Sequence, residues 1–490
     1  MKGAVAALAS LLLVAAGAPA GAQSEPGPGP WAADFEAAPG LMFQPAGGWS
    51  FGPVRGGAPQ GETFARLAHA GPAATPAAAS QSVDAAPWIG QPIRLSAWLR
   101  VTGEASPLAG LWLRIDGTTP GRQLFFDNMS DRPVAPGDWA RHEIVAWVPE
   151  GAGRLVFGVM KSGGGSLDVD DVVLAVADPG EGGMAPGARA YLDEAIEALR
   201  TRHINRATVD WDRIRDVTDR LASGAEGPAD VHPALRVAIG MLGERHTRLL
   251  GPPAAPGSPG SAPAPMPRGE AAAPGIGLLT LPERMASGAD DPLNEAYRSA
   301  LAAAIEALEA RGTCGWIVDL RGNGGGNMWP MLNGLEALLG TGPFGAFGDA
   351  ADAVSSRWVR RDGRIVDEPV NDWDVTDGST GRLAGAPVAV LLGPGTASSG
   401  EMTAIAFRGR ARTRTFGAAT AGLTTANAGH RLPDGYRLLI TTTGALDGAG
   451  ALVTGRLQPD EATAPDQTLP RALDWLATQG CPTPTDSRTT

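Results

Sequence analysis

The sequence predicts a multi-domain fold: an N-terminal all-β sandwich, a small helical subdomain, and then an α/β core. Three observations carry this expectation. Between Trp31 and Asp178, short runs alternate apolar and polar residues and are broken by Gly, Pro and Asp, the period-two pattern of half-buried strands. Between Pro186 and Leu250 the apolar residues recur at three and four instead, as on one face of a helix. From Gly275 onward, apolar β-rich runs alternate with helical stretches, the order of an α/β unit with crossover connections. A chain of 490 residues has room for about three such units, and an apolar fraction of 43% supplies their cores.

The first residues combine Lys2, an apolar stretch from Ala4 to Ala16 and a small-residue end, Ala20-Gly-Ala22, so residues 1–22 read as a secretory signal. No cysteine follows directly, so no lipid anchor is expected there. No later segment is long and apolar enough for a membrane span. The expectation is a periplasmic or secreted protein. The net charge of −12 argues against nucleic acid and anionic membranes as partners.

Residues 31–178 form the expected sandwich, with strands such as Ile93-Arg-Leu-Ser-Ala-Trp-Leu-Arg-Val101 and Arg154-Leu-Val-Phe-Gly-Val159. It resembles the jelly-roll accessory modules found beside secreted hydrolases, some of which bind carbohydrate. Seven of the thirteen tryptophans lie here: Trp31, Trp49, Trp88, Trp98, Trp112, Trp139 and Trp147. Such rings can stack on sugars, but at alternating strand positions they are more often core. Asp168, Asp170 and Asp171 could help hold calcium, yet three carboxylates fall short of the six to eight oxygens that calcium takes. A solvated strand end is the preferred reading. A carbohydrate, a cell-envelope ligand, or simple docking of the next domain remain open as its role.

Residues 186–250 are the helical subdomain, with helices expected over Ala190–Arg200, Val209–Ser223 and Pro233–Gly243. The last runs into Gly243-Glu-Arg-His-Thr-Arg248. A lone histidine at a helix C-terminus is usually a cap or a partner of the helix dipole, and that plain reading applies to His246. Residues 251–274, rich in Pro, Ala, Gly and Ser, read as an extended or disordered linker.

The core, residues 275–478, begins with the strand Ile276-Gly-Leu-Leu-Thr-Leu281 and a helix around Asn294 to Arg311. Two stretches within it carry chemistry. Gly315-Trp-Ile-Val-Asp-Leu-Arg-Gly-Asn-Gly-Gly-Gly326 is a buried strand running into a glycine turn, where the backbone can approach a ligand and aim N–H groups at it. No Gly-Lys-Ser/Thr follows, which argues against a nucleotide loop. Pro387-Val-Ala-Val-Leu-Leu392 is a second buried strand, followed by Gly393-Pro-Gly-Thr-Ala-Ser-Ser-Gly-Glu401 and a helical stretch. A serine on that turn sits at a helix N-terminus, where free N–H groups favour negative charge; the plain alternative is a helix cap. A late strand, Tyr436 to Thr443, and a helix, Leu469 to Thr478, close the core, and residues 479–490 form a polar tail.

Together, Asp319-Leu-Arg-Gly-Asn-Gly-Gly-Gly326 and Gly395-Thr-Ala-Ser-Ser-Gly-Glu401 resemble the S41 family of tail-specific (C-terminal-processing) serine peptidases over roughly Pro186 to Leu476. The resemblance implies a ClpP/crotonase-like core with Ser398 as nucleophile. It implies an oxyanion hole made by the Ser399 N–H and a backbone N–H of Gly324 or Gly325. Most members pair the serine with a lysine, and the matching position here is Leu423. The only lysines are Lys2 and Lys161, so no Ser–Lys dyad can form in this core, and arginine is too basic to serve. Tricorn-like members use a histidine from the helical region, and His246-Thr247 matches the second half of the family's Asp-x-His-Ser/Thr signature, with Glu244 in place of the aspartate. The resemblance thus points to His246 as general base, with a pKa near the working pH.

The acidic third member of the tricorn-like pattern is missing, since Val453 and Thr454 occupy its neighbourhood. Glu401 belongs to the serine motif, with its role left between site and support. Asp434 and Asp447 precede glycine and read as turn residues. No PDZ domain fits in residues 251–274, which puts recognition of free C-termini in doubt. Cys314 and Cys481 are a candidate disulfide in an oxidising compartment, with two buried thiols as the alternative. No metal and no cofactor are expected. The reading is an exported serine endopeptidase acting on a protein or peptide substrate. Two alternatives remain: a weakly active or inactive binding protein on the same scaffold with the sandwich as its working part, and an esterase.

Overall fold

The computed structural model describes residues 30–36, 40–44, 47–71, 75–252, 264–285, 291–348, 354–369 and 378–481. The signal stretch and residues 482–490 of the tail lie outside them. The chain divides into two compact units, one holding the described residues up to 261 together with Ala428–Ile440, the other 262–427 and 441–490. The division is therefore not the contiguous one expected at residues 250 to 275. A short stretch from late in the chain returns to the first unit.

The first unit contains the sandwich. One sheet is ordered β3 (Trp49–Arg55), β4 (Thr63–His69), β11 (Gly165–Val176), β6 (Pro92–Thr102) and β9 (Ala140–Trp147), with β1 (Trp31–Ala33) also paired to β11. The other is ordered β2 (Met42–Phe43), β5 (Ala77–Asp84), β10 (Ala152–Lys161), β7 (Gly110–Gly117) and β8 (Gln123–Asp127). Alternation does the work predicted of it. Ile93, Leu95, Ala97, Leu99 and Val101 on β6 share one core with Leu111, Leu113 and Ile115 on β7 and Leu155, Phe157 and Val159 on β10. Trp49, Trp88, Trp112 and Trp147 are buried, while Trp31, Trp98 and Trp139 are half-buried. The tryptophans are thus mainly core.

The three aspartates of β11 are neither a calcium site nor a solvated strand end. Asp168 is fully buried and ion-paired with Arg66 at 2.6 Å and Arg100 at 2.8 Å. Asp170 accepts the N–H groups of Gln60 and Asp171, and Asp171 pairs with Arg141 at 3.1 Å. The strand is kinked here: Asp171 has φ +47° and the register with β6 shifts between Asp170 and Val173. This bulge lets Val169 and Val172, three residues apart, both enter the core.

Three helices follow in the same unit: α1 (Pro186–Arg202), α2 (Trp211–Leu221) and α3 (Pro228–Gly240). Tyr191, Leu192, Ala195, Ile196 and Leu199 form the buried stripe of α1. β12 (Arg248–Leu250) pairs antiparallel with residues 437–439, the beginning of β22 (Arg437–Leu446). Asp434 does cap its own turn through the Tyr436 N–H. It also accepts from the Tyr191 hydroxyl at 3.0 Å and contacts His232 Nε2 at 2.8 Å, which fastens the returning segment to α1 and α3.

In the second unit a six-stranded sheet is ordered β13 (Arg268–Ala273), β14 (Ile276–Thr280), β15 (Gly315–Asp319), β19 (Val388–Leu392), β20 (Thr413–Gly417) and β24 (Glu461–Ala462). All pairs but the first are parallel. Both faces are covered, which is why the strands read as unbroken apolar runs. Trp316, Val318, Val388 and Val390 pack on one side with α4 (Pro292–Glu309), α5 (Met328–Gly334) and α6 (Ser399–Ile405). Ile317, Ala389 and Leu391 pack on the other with α7 (Thr468–Thr478). Residues 345–348, 354–361 and 364–368 form β16, β17 and β18, and β16 pairs with residues 444–446.

Two expectations are corrected here. Residues 268–273, inside the expected linker, are a strand, because β14 supplies their hydrogen-bond partners along one edge; residues 253–263 lie outside the described part. The start of the expected loose tail is packed: Cys481 is buried against Leu476 and bonded to Cys314, with their Cα atoms 5.8 Å apart.

The Asp168 cluster makes a test of the sandwich. Replacing Asp168 by Ala leaves two arginines facing each other over a buried gap, and unfolding should become easier by roughly 2–3 kcal/mol, measured by urea denaturation, with no response to added calcium.

Candidate active site

The parallel register sets the site. Thr280 lies opposite Asp319, and Asp319 opposite Leu391, so the loops 281–285, 320–327 and 393–398 leave the sheet at the same carboxyl edge, where open α/β sheets bind ligands. Backbone contacts then lock the loops together. The Ala397 N–H donates to Asn323 O at 2.9 Å, the Arg284 N–H to Gly325 O at 2.9 Å, and the Asn327 N–H to Arg284 O at 2.8 Å. The Ser399 hydroxyl donates to Gly326 O at 2.6 Å, and the Thr396 hydroxyl to Leu320 O at 2.8 Å.

Ser398 is the last residue of the loop between β19 and α6, with φ +49° and ψ −118°. Such a conformation costs a non-glycine residue about 1–3 kcal/mol and persists only where the surroundings enforce it. The enforcement is Glu401. Its fully buried carboxylate accepts from the Ser398 N–H at 3.0 Å, the Gly422 N–H at 2.8 Å, the Leu423 N–H at 2.7 Å and the Thr420 hydroxyl. Burial pushes the Glu401 carboxyl up, against these donors. Because every partner donates, the group must act as an acceptor only, which is the ionised form. Glu401 therefore supports the turn. Leu423, at the family's lysine position, contributes a backbone N–H to that support.

Gly325 packs directly behind the serine. It has φ +107°, and a Cβ there would lie 2.8 Å from Ser398 Cβ, so this approach needs glycine. Two amides beside the serine make no hydrogen bond among the described residues: Ser399, at the first position of α6, and Gly324. The Gly325 N–H, by contrast, donates to Asn323 Oδ1 at 3.0 Å. Of the two glycines expected as oxyanion donors, Gly325 is thus already engaged, and Gly324 is left.

His246 belongs to the first unit, whereas Ser398, Ser399 and the glycine loop belong to the second. Helix α3 ends at Gly240, so His246 lies in the loop entering β12 rather than on a helix terminus. The loop is held by Glu244, whose carboxylate accepts from the His246 N–H and from the Thr247 N–H at 2.9 Å. Behind Glu244 stands His203, fully buried, with Nε2 at 3.2 Å from Glu244 Oε1. His203 Nδ1 accepts the Asn205 N–H, so Nε2 carries the proton that Glu244 receives. Burial works to raise the Glu244 carboxyl, but the bonds from His203, His246 and Thr247 outweigh it and hold the pKa at about 2. Burial pushes the His246 imidazole down to about 4, with Glu244 opposing and Arg245 and Arg248 assisting. This is below the value near working pH expected from sequence.

His203 is the residue behind Glu244 that sequence reasoning passed over. It carries no motif, and its only signal is Asn205 two residues on, a pair suited to a local turn. Among the described residues, no group of three or more His, Cys, Asp or Glu side chains is arranged to hold a metal, and no helix is long and apolar enough to cross a membrane.

A serine on a strained strand-to-helix turn, flanked by two free amides, is chemically suited to acyl transfer through serine. A family model agrees: residues 275–463 match that of peptidase family S41. Over 309 residues it is 26% identical to the nisin-resistance protein of Lactococcus lactis subsp. lactis, spanning 60% of this chain and 88% of that protein. Among solved structures, a lipoprotein from Streptococcus agalactiae is similar at 22% identity and TM-score 0.48, over 60% of this chain and 98% of that one. The photosystem II D1 C-terminal processing protease is similar at 17% identity and TM-score 0.41, over 57% of this chain and 94% of that one.

Glu401→Gln tests the support. The amide would turn an NH2 towards converging donors, so stability should fall by about 2–3 kcal/mol. Any activity that depends on Ser398 should fall further than the loss of folded protein explains, as read by active-site titration against melting curves.

Proposed function

We propose that this chain is an exported serine endopeptidase of the Ser–His type. The observation that carries the reading is the Ser398 turn, held at positive φ by Glu401 with the Ser399 and Gly324 amides free beside it. Ser398 Oγ attacks the peptide carbonyl carbon while its proton passes to His246. The Ser399 and Gly324 N–H groups hold the oxyanion. Collapse expels the amine, which takes the proton back from His246, and leaves an acyl-enzyme. Water then attacks the acyl-enzyme, with His246 accepting its proton and returning it to Ser398. His246 is the base because no lysine lies in the core. No cofactor enters this scheme.

The sandwich in this reading holds a carbohydrate or cell-envelope ligand near the substrate. Export rests on the signal-like residues 1–22, so the mature protein recovered from outside the cytoplasm should begin just after Ala22 by N-terminal sequencing. Intact cytoplasmic protein starting at Met1 would overturn export.

The catalytic test uses end-blocked peptides and an unfolded protein, with nisin in the panel because of the Lactococcus lactis relative. Wild type should cut internally. Ser398→Ala and His246→Ala should each lower kcat/KM by at least about 10³-fold with melting unchanged. The base must be neutral to accept a proton. With His246 down at about 4, activity should persist through pH 6 and fall only as pH drops towards that value. Cleavage surviving His246→Ala would remove it as base. No cleavage by wild type would move the reading to a binding protein, with sugars tested on the sandwich.

A further inference from the structure

The loop after β14 holds a carboxylate that the proposed chemistry does not use. Glu283 is half-buried, and burial, with no opposing interaction, pushes its carboxyl up. It makes no hydrogen bond or ion pair among the described residues. Its neighbour Arg284 has its buried guanidinium turned to other groups, Asp291 at 2.8 Å and Met285 O at 2.6 Å, with Nε left unsatisfied among the described residues. The preceding residue is also committed, because Pro282 O accepts from the Tyr297 hydroxyl at 2.7 Å. The backbone on both sides of Glu283 is therefore fastened, while its side chain is not.

Where that side chain points is informative. A Cβ placed on Gly324 would lie 2.6 Å from Glu283 Oε2. The carboxylate thus rests against the residue whose N–H remains free beside Ser398, and glycine is what lets it approach so closely. A half-buried carboxylate gains from a partner, and at this place its charge has a second cost. A negative charge next to an oxyanion donor opposes the charge that develops on the substrate oxygen. Both penalties vanish if the substrate brings a cation.

Resting on the peptidase reading above, we infer that Glu283 is a specificity subsite for a lysine or arginine side chain next to the scissile bond. A carbonyl bound at the Gly324 N–H brings the side chains of its own residue and of the next one within reach of Glu283. A cation there pairs with the carboxylate as the substrate binds and removes its repulsion from the oxyanion. The preference should therefore be expressed in kcat as well as KM.

The experiment compares N-acetylated, C-amidated peptides that differ only by Lys against norleucine at the positions flanking the cut, so that no terminal amine competes. Wild type should prefer Lys by roughly tenfold or more in kcat/KM, as expected for a partly desolvated ion pair. In Glu283→Gln that preference should collapse towards unity, with norleucine peptides cut faster than by wild type because the carboxylate no longer opposes the oxyanion. Glu283→Lys should turn the preference towards Glu-containing peptides. The inference is overturned if Glu283→Gln keeps the wild-type preference, or if it loses activity on both peptides equally. If wild type cuts norleucine peptides but shows no Lys preference, the subsite falls and the peptidase reading stands. If it cuts nothing, the peptidase reading falls, and the subsite is judged by calorimetry of Lys and norleucine peptides binding to Ser398→Ala with and without Glu283→Gln; equal affinities throughout would overturn it too.

Discussion

The Glu401 carboxylate is the constraint on which the candidate site depends. Ser398 caps its helix at φ +49°, with its N–H held by Glu401 three residues on, as in a capping box. Four donors converge on that one buried group, and three of them are backbone amides. They tie the serine turn to residues 420–423. That loop follows β20, which is the parallel neighbour of β19. The strain at Ser398 is thus balanced by a hydrogen-bond centre that only the assembled sheet can build.

The same device recurs around His246 in the first unit. Glu244 accepts the backbone N–H of His246 and of Thr247, as Glu401 accepts that of Ser398. In both cases a glutamate close in sequence holds the main chain of the loop. The two differ in charge balance. His203 stands behind Glu244, whose carboxyl is held at about 2, while burial pushes Glu401 up. Substituting Glu244 for the family's aspartate keeps this logic, since the longer chain still reaches both amides.

The sandwich shows how polar residues enter a core of apolar strands. Asp168 is fully buried yet satisfied by two arginines, whose guanidinium groups lie over the Phe64 ring. Arg100 also covers the Trp139 ring at 4.6 Å. Alternation alone marks Asp168 as an outward residue. Its burial comes from neighbours on β4 and β6, which are far from it in sequence and adjacent only in the sheet.

Period-two and period-three-to-four patterns were enough to place the sandwich, the three helices and the parallel core, because one-sided burial writes itself directly into spacing. Two motifs were enough to mark the two loops that meet at Ser398 and Gly325, since a strand that stops at glycines leaves amides and a serine outside the ladder. Spacing carries nothing about which amides stay free. Asn323 Oδ1 takes the Gly325 N–H and leaves Gly324, and this is a matter of side-chain direction in a folded loop. Nor could sequence place His203 behind Glu244, or return Ala428–Ile440 to the first unit by way of Asp434. These are contacts between residues tens to hundreds of positions apart. The amino-acid sequence determined the elements and the strand-to-helix turn that carries Ser398; tertiary structure decided which polar groups were satisfied, because hydrogen bonds are allotted only when the loops meet.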